Sequence, residues 1–135
     1  MKLITAIIIA ATLATPVTAK TITNDPGGNM VEYLNATRVA SATGQRIKIK
    51  GWCASACALY LGSPHTCVTK RAKVAFHAPY GGTKAQNKHA AAMYANSLPL
   101  GLGSWFMKNA AHLTGKDMAV LSGADLIAMG VARGC

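Results

Sequence analysis

Three short stretches of the chain contain the residue types that acyl transfer requires. The turn Asp25–Gly28 (Asp-Pro-Gly-Gly) stands before a helical pattern, and its glycines leave backbone N–H groups uncovered, as an oxyanion site requires. Ser55 is flanked by small residues in Cys53–Cys57 (Cys-Ala-Ser-Ala-Cys), where the Ala56 N–H can be a second oxyanion donor. His77 ends an apolar stretch and is of the type that serves a serine nucleophile as general base.

Each stretch also has a simpler structural explanation. A Pro-Gly-Gly sequence is usually only a turn, and Ser55 at a strand-to-helix junction is typical of a helix cap. The Gly-x-Ser-x-Gly fingerprint of many hydrolases is absent. The chemical interpretation therefore depends on the order of the stretches, with Ser55 placed 27 residues after Gly28 and His77 placed 22 residues after Ser55.

Carboxylates are scarce in this chain of 135 residues. Lys and Arg number 14 against four acidic residues, which are Asp25, Glu32, Asp117 and Asp125, and the net charge is +10. This composition excludes an acidic disordered chain, and the length is that of one domain. Asp25 is interpreted as a cap in its turn and Glu32 as a surface charge on a helix. Any acid in a catalytic site is therefore drawn from a very small set.

The N-terminal stretch is typical of a secretory signal peptide. A basic start at Lys2 is followed by an apolar run and by Val17-Thr18-Ala19, which predicts cleavage after Ala19 and a periplasmic or secreted mature chain. The apolar run is shorter than the roughly 20 residues that span a bilayer. An uncleaved N-terminal membrane anchor is the alternative.

Export changes the interpretation of the four cysteines, Cys53, Cys57, Cys67 and Cys135. An even number in an oxidising compartment predicts two disulfide bonds. Three pairings are compatible with the sequence. Zinc is the alternative ligand, but the spacing lacks a matched second pair of cysteines, and no metal is expected.

The elements that must position these residues alternate along the chain. Gly44 follows the first helical pattern as a C-terminal cap, and Gly51 is expected to end the second strand. The stretches 67–69 and 73–77 are expected to form a hairpin or two adjacent strands. No linker interrupts residues 20–135, and the alternation is typical of one α/β domain. The predicted helices are 29–43, 54–61, 84–96, 103–113 and 121–129, and the predicted strands are 21–23, 46–50, 67–69 and 73–77.

In this order the motifs resemble those of the Clp protease proteolytic subunit and its relatives in the crotonase-like superfamily. That family has a Pro-Gly-Gly turn, an Ala-Ser nucleophile and a strand that ends in His-x-Pro. The counterparts here are Asn24–Gly28, Cys53–Cys57 and Val74–Pro79, and a C-terminal pattern matches 117–131. The resemblance covers about 24–131, and the Cys-Ala-Ser-Ala-Cys variant is most similar to small exported bacterial relatives.

The resemblance implies a role for each matching residue. Ser55 would be the nucleophile, His77 the general base, and the N–H groups of Gly28 and Ala56 the oxyanion donors. Asp117 would orient the imidazole ring. Asp125, the alternative acid, falls where the family has a helix residue.

The implied fold is a single-domain α/β crotonase-like arrangement, shortened at its N-terminus. The implied activity is that of an exported, ATP-independent serine peptidase-like acyl hydrolase that acts on a peptide or protein substrate without a cofactor. An unfolding ATPase is not expected as a partner. The stretch 84–113 corresponds to the part of the family through which rings assemble, so the resemblance is compatible with a homo-oligomer.

Two other functions fit the sequence. The first is a catalytically silent crotonase-like domain that binds a peptide or a partner in the cell envelope. The second is a basic protein that associates weakly with an anionic envelope, because its net charge favours anionic partners. Nucleic acid is not expected as a partner, since the basic residues are scattered without interleaved aromatic side chains.

Overall fold

Six strands form one mixed sheet in residues 16–135, the part of the chain that the computed structural model describes. Residues 1–15 of the predicted signal peptide lie outside the described residues, so its presence and cleavage remain predictions. The α/β class predicted from the alternating patterns is confirmed at this level. The strands are β1 (Lys20–Asp25), β2 (Ile47–Ala54), β3 (Thr66–Val68), β4 (Lys73–Phe76), β5 (Ala119–Ser122) and β6 (Arg133–Gly134).

β2 is the centre of the sheet. β1 pairs in parallel with one edge of β2. On the other edge, β3 pairs with the first part of β2 and β4 with the last part, both in parallel. β5 pairs antiparallel with β4, and β6 pairs in parallel with β3. Asp25 is aligned with Cys53, and Cys53 with Val74, so the carboxyl ends of β1, β2 and β4 meet at the same edge of the sheet.

The helices begin and end where the local sequence provides caps. The Asn29 side chain accepts hydrogen bonds from two N–H groups of the first turn of α1, and Gly44 ends α1 with a φ of 73°. Thr83 and Gln86 form a capping box at the start of α2. The helices are α1 (Met30–Thr43), a 3-10 helix (Ser55–Gly62), α2 (Lys84–Ser97), α3 (Leu100–Asn109) and α4 (Gly123–Ala128).

The core lies between the sheet and the helices. The 3-10 helix is at its centre, with every side chain from Ala56 to Leu61 buried. Tyr94 of α2 packs against Phe106 of α3 with ring centroids 4.7 Å apart. The largest fully buried side chains include Phe76, Phe106, Ile47, Ile49, Leu59, Leu102 and Leu126.

Two of the predicted boundaries around β2 are wrong. β2 continues past Gly51 to Ala54, because its last three residues pair with β4. Gly51 itself lies against the Thr23 carbonyl, where no side chain fits. The predicted helix 54–61 is a 3-10 helix that begins at Ser55. The strands at 66–68 and 73–76 do not form a hairpin with each other, since both pair with β2.

The C-terminal helices also differ from prediction. α3 begins at Leu100 rather than at Gly103, because the N–H groups of Leu102 and Gly103 already donate to the Pro99 carbonyl oxygen. It ends at Asn109 rather than at 113. Residues 121 and 122, expected in a helix, belong to β5 because they pair with β4, and α4 begins only at Gly123.

The cysteines form two disulfide bonds, as predicted. Cys53 is bonded to Cys57, and Cys67 is bonded to Cys135, so no cysteine among the described residues is free. Disulfides of this kind indicate an oxidising, extracytoplasmic environment. In residues 16–135 no helix has the length and apolar character needed to cross a bilayer.

Candidate active site

The three motifs meet at one cavity, because each follows the carboxyl end of a strand at the same sheet edge. The turn 26–28 follows β1, Ser55 follows β2, and His77 follows β4. The cavity has a volume of about 520 Å³. It is lined by Pro26, Gly27, Gly28, Asn29, Met30, Ser55, Ala56, His77, Pro79, Tyr80, Tyr94, Gly115 and Met118.

Ser55 adopts an unusual backbone conformation. Its φ is 57°, which makes it the only residue other than glycine with a positive φ in the described part of the chain. Such a conformation costs about 1–3 kcal/mol and persists only where its surroundings enforce it. The sharp strand-to-helix turn that exposes a nucleophilic serine in many hydrolases has the same character. Here it occurs without the glycine fingerprint, and the bond between Cys53 and Cys57 spans it.

Tyr94 holds the strained serine in place. Its hydroxyl donates a hydrogen bond of 2.8 Å to the Ser55 carbonyl oxygen from the middle of α2. Burial raises the pKa of Tyr94, so the phenol keeps the proton that it donates. The sequence contains no local signal for this contact, because Tyr94 looks like any buried residue on a helix.

The Pro-Gly-Gly turn packs directly against the Ser55 junction. Gly27 has a φ of 86°, and a Cβ on it would lie 2.5 Å from the Ala54 carbonyl oxygen and 2.8 Å from the Ser55 Cβ. Asp25 fixes the turn, because its Oδ1 accepts hydrogen bonds from the Gly27 N–H at 2.9 Å and from the Tyr33 hydroxyl at 2.6 Å. Burial and the Asp25 carboxylate raise the pKa of Tyr33, which keeps that hydroxyl protonated. Asp25 thus has the structural role expected for it.

The two predicted oxyanion donors face the same space. Gly28 and Ala56 both line the cavity, and within residues 16–135 neither N–H has a hydrogen-bond acceptor. The Ala56 N–H lies in the first turn of the 3-10 helix, where backbone donors have no partner inside the helix. Unpaired N–H groups beside a serine are what an oxyanion hole consists of.

His77 is buried at the cavity wall, with 9% of its surface exposed. Its Nδ1 lies 2.8 Å from the carbonyl oxygen of Ala78. A carbonyl only accepts hydrogen bonds, so the proton of the neutral ring is on Nδ1 and Nε2 has a free lone pair. Among the described residues, Nε2 has no hydrogen-bond partner, and Ser55 Oγ is not bonded to His77.

Neither candidate acid forms part of the cavity wall that His77 lines. Asp117 is in the exposed loop before β5, where its neighbour Met118 lines the cavity and Asp117 itself does not. Asp125 caps α4, and hydrogen bonds from the hydroxyl and the N–H of Ser122 hold the pKa of Asp125 below its ordinary value. In residues 16–135 neither carboxylate is hydrogen-bonded to His77, whose Nδ1 is occupied by Ala78.

Apart from the polar Asn29, the remaining side chains in the cavity walls are apolar or aromatic, and sequence reasoning missed them. Met30, Met118 and the exposed Tyr80 contribute large side chains, and the Tyr80 ring centroid lies 5.7 Å from that of His77. Among residues 16–135, no Asp, Glu, Lys or Arg side chain lines the cavity. The site therefore favours an uncharged part of a ligand next to Ser55.

Replacing Gly27 by alanine should lower the free energy of unfolding more than the same replacement at a glycine with open space around it. The matched control is Gly44→Ala, because Gly44 also has a positive φ, of 73°, but has no atom within 4 Å of an added Cβ. The control should lose about 1 kcal/mol of unfolding free energy through backbone strain alone. Gly27→Ala should lose at least ~2–3 kcal/mol, measured by chemical denaturation. Equal losses would show that the contact with Ser55 is not tight.

No protein-family model and no curated protein matches this chain. The interpretation of the site therefore depends on the geometry of the cavity and on the chemistry of the residues around it.

Proposed function

We propose that the chain is an exported, ATP-independent serine acyl hydrolase of the peptidase type, in which Ser55 is the nucleophile and His77 the general base. The observation that carries the proposal is the backbone of Ser55, held at a φ of 57° at the end of β2 in the cavity that His77 also lines. The Tyr94 hydroxyl and the turn at Gly27 hold Ser55 in this conformation. Strain of this kind is typical of active sites.

The proposed fold is a crotonase-like unit of the Clp protease type, shortened at its N-terminus. Its support is the parallel set β1, β2 and β4, whose ends are followed in chain order by a Pro-Gly-Gly turn, a serine and a histidine. The fold would need no cofactor for the chemistry of this site.

In the proposed reaction, Ser55 Oγ attacks the substrate carbonyl and gives its proton to Nε2 of His77. The N–H groups of Gly28 and Ala56 donate to the oxyanion that forms. His77 then protonates the leaving group, the carbon–leaving-group bond breaks, and an acyl-serine ester remains. Water, deprotonated by the same Nε2, hydrolyses the ester and restores Ser55.

The Ser55–His77 hydrogen bond that the first step needs has to form when substrate binds. Catalytic hydrogen bonds are often long in free enzymes and shorten in the substrate complex. Ala78 prepares His77 for this step, because its carbonyl keeps the proton on Nδ1 and stabilises the imidazolium that forms. This is the role that the resemblance assigned to Asp117.

The variant Asp117→Asn tests whether the Ala78 carbonyl or the Asp117 carboxylate orients the His77 ring. If the Ala78 carbonyl orients the ring, hydrolysis by the variant should stay within about three-fold of wild type, since no bond to His77 is lost. The loss of a triad aspartate costs about 10⁴-fold. The measurement is kcat/KM for a chromogenic ester, with Asp125→Asn as the matched control. A loss of the larger size in Asp117→Asn alone would restore Asp117 as the acid.

The experiment that tests the proposed function is labelling of the purified mature chain with a fluorophosphonate. This probe reacts only with a serine that a neighbouring base activates. We expect stoichiometric labelling on Ser55, located by peptide mass mapping. A folded wild-type chain that is not labelled would contradict the proposal.

The alternative function is a catalytically silent domain of the same fold that binds a peptide or a partner. Two observations favour it: His77 has no carboxylate partner among residues 16–135, and Ser55 is not bonded to His77 there. In that case the cavity would bind peptides with apolar side chains, and the fluorophosphonate would leave the protein unmodified. Calorimetry with a peptide library would detect such binding.

A further inference from the structure

One face of the sheet is open, and its exposed side chains are basic. In β2 the buried residues Ile47 and Ile49 alternate with the exposed Lys48 and Lys50. The buried side chains belong to the core that the helices cover. Lys48 and Lys50 therefore point to the opposite face, because successive side chains of a strand alternate.

The strand register extends this basic face across the sheet. Thr21, Lys48, Cys67 and Arg133 are aligned with one another on β1, β2, β3 and β6. Side chains that are directly aligned on neighbouring strands point to the same side. Arg133 and Lys48 therefore lie on one face, with the bond between Cys67 and Cys135 beside them.

The turn between β3 and β4 adds two more exposed cations, and the first residue of β4 adds a third. The first residue of the turn, Thr69, donates its hydroxyl to the Lys50 carbonyl oxygen at 3.2 Å, so the turn lies next to the exposed end of that row. Residues that come from three separate stretches of sequence are thus collected on one side of the molecule. The basic face consists of Lys48, Lys50, Lys70, Arg71, Lys73 and Arg133, all exposed.

The acidic side chains do not neutralise the basic face. Asp25 is bound in the cavity turn, Glu32 is on α1, and Asp117 is in the loop before β5. Asp125 is the closest, because the N–H of Ala124 donates to the Lys70 carbonyl, but its carboxylate accepts from Ser122. The face keeps a large positive excess.

We propose that the basic face docks the protein on an anionic lipid surface. An open sheet face that carries flexible lysines is suited to a flat array of headgroups, which attract each nearby Lys or Arg. Trp52, which is partly exposed and aligned with Lys73, lies on the same face, and tryptophan is enriched at the headgroup level of membranes. The cavity opens at the carboxyl edge of β1, β2 and β4, so docking through the face leaves it accessible to solvent.

The proposal is independent of the catalytic one, because none of the six residues lines the cavity. Its test is sedimentation of the mature chain with phosphatidylcholine vesicles that contain phosphatidylglycerol, compared with phosphatidylcholine alone. We expect binding only to the anionic vesicles and a steep loss of binding as salt is raised.

The test variant is Lys48→Gln/Lys50→Gln/Arg133→Gln. Its matched control is Arg38→Gln/Lys88→Gln/Lys108→Gln, which removes the same charge from exposed positions on α1, α2 and α3. The basic-face variant should lose about 100-fold in the partition coefficient, at about five-fold for each charge, and the control should lose less than five-fold. Thermal melts show whether both variants are folded.

Three results would overturn the proposal. Equal losses in both triple variants would mean that net charge alone drives binding. Failure of the wild type to bind anionic vesicles would exclude a lipid surface. Binding to a soluble polyanion such as heparin or an oligonucleotide, tighter than to vesicles and abolished by the same variant, would assign the face to a polymer instead.

Discussion

Replacing Ser55 by alanine should abolish fluorophosphonate labelling and lower ester or peptide hydrolysis by about 10⁴-fold or more. The variant removes the oxygen of the proposed nucleophile, while the proposed oxyanion donors and the cavity walls remain. Its stability should stay close to that of the wild type, because Ser55 Oγ makes no hydrogen bond within residues 16–135 and alanine adopts the same φ at a similar cost. The measurements are burst-phase labelling, kcat/KM and a thermal melt.

His77→Ala should lose labelling to a similar extent, because without Nε2 no described group in the cavity wall can take the Ser55 proton. Matched controls are Ser104→Ala and His89→Ala, both at exposed helical positions away from the cavity. These controls should label as the wild type does. Labelling that persists in Ser55→Ala would assign the nucleophile elsewhere. Activity that persists in His77→Ala but not in Ser55→Ala would mean that another residue is the base and that Ser55 is still the nucleophile.

The common site of the three motifs was implied by the family resemblance, and the strand topology explains why they lie at one cavity. Parallel strands place their carboxyl ends at one edge, so residues that follow such strands become neighbours however far apart they are in the chain. The alternation of Ile47, Lys48 and Ile49 predicted a strand with one buried face. Both features depend on periodicity and order, which are properties of the sequence itself.

The features that sequence reasoning missed depend on long-range contacts. The pattern Leu121-Ser122 reads locally as the start of a helix, and only pairing with β4 makes it a strand. The left-handed backbone conformation of Ser55 cannot be predicted from a glycine at this position. It depends on contacts with Tyr94 and with the turn at Gly27, which come from other parts of the chain. The bond between His77 and the Ala78 carbonyl has no sequence pattern either.

The two disulfide bonds should have different consequences, because one closes a long loop and the other flanks the nucleophile. Cys67 and Cys135 are 68 residues apart, and Cys53 and Cys57 are four apart. In the chain-entropy view, the long loop contributes about 4 kcal/mol and the short one about 2 kcal/mol. Cys67→Ala/Cys135→Ala should therefore lower the melting temperature by about 15 °C, and more than the other pair does.

The effects of the two disulfide bonds on activity should have the opposite order to their effects on stability. Cys53→Ala/Cys57→Ala frees the junction that holds Ser55 at its strained φ, so the fraction of molecules with a correctly placed nucleophile should fall. We expect fluorophosphonate labelling of this variant to fall at least ten-fold at a temperature at which it is fully folded. The Cys67→Ala/Cys135→Ala variant should label at the wild-type rate under those conditions. If the two pairs affected labelling equally, the loss would reflect general destabilisation, and the short disulfide would have no separate role in positioning Ser55.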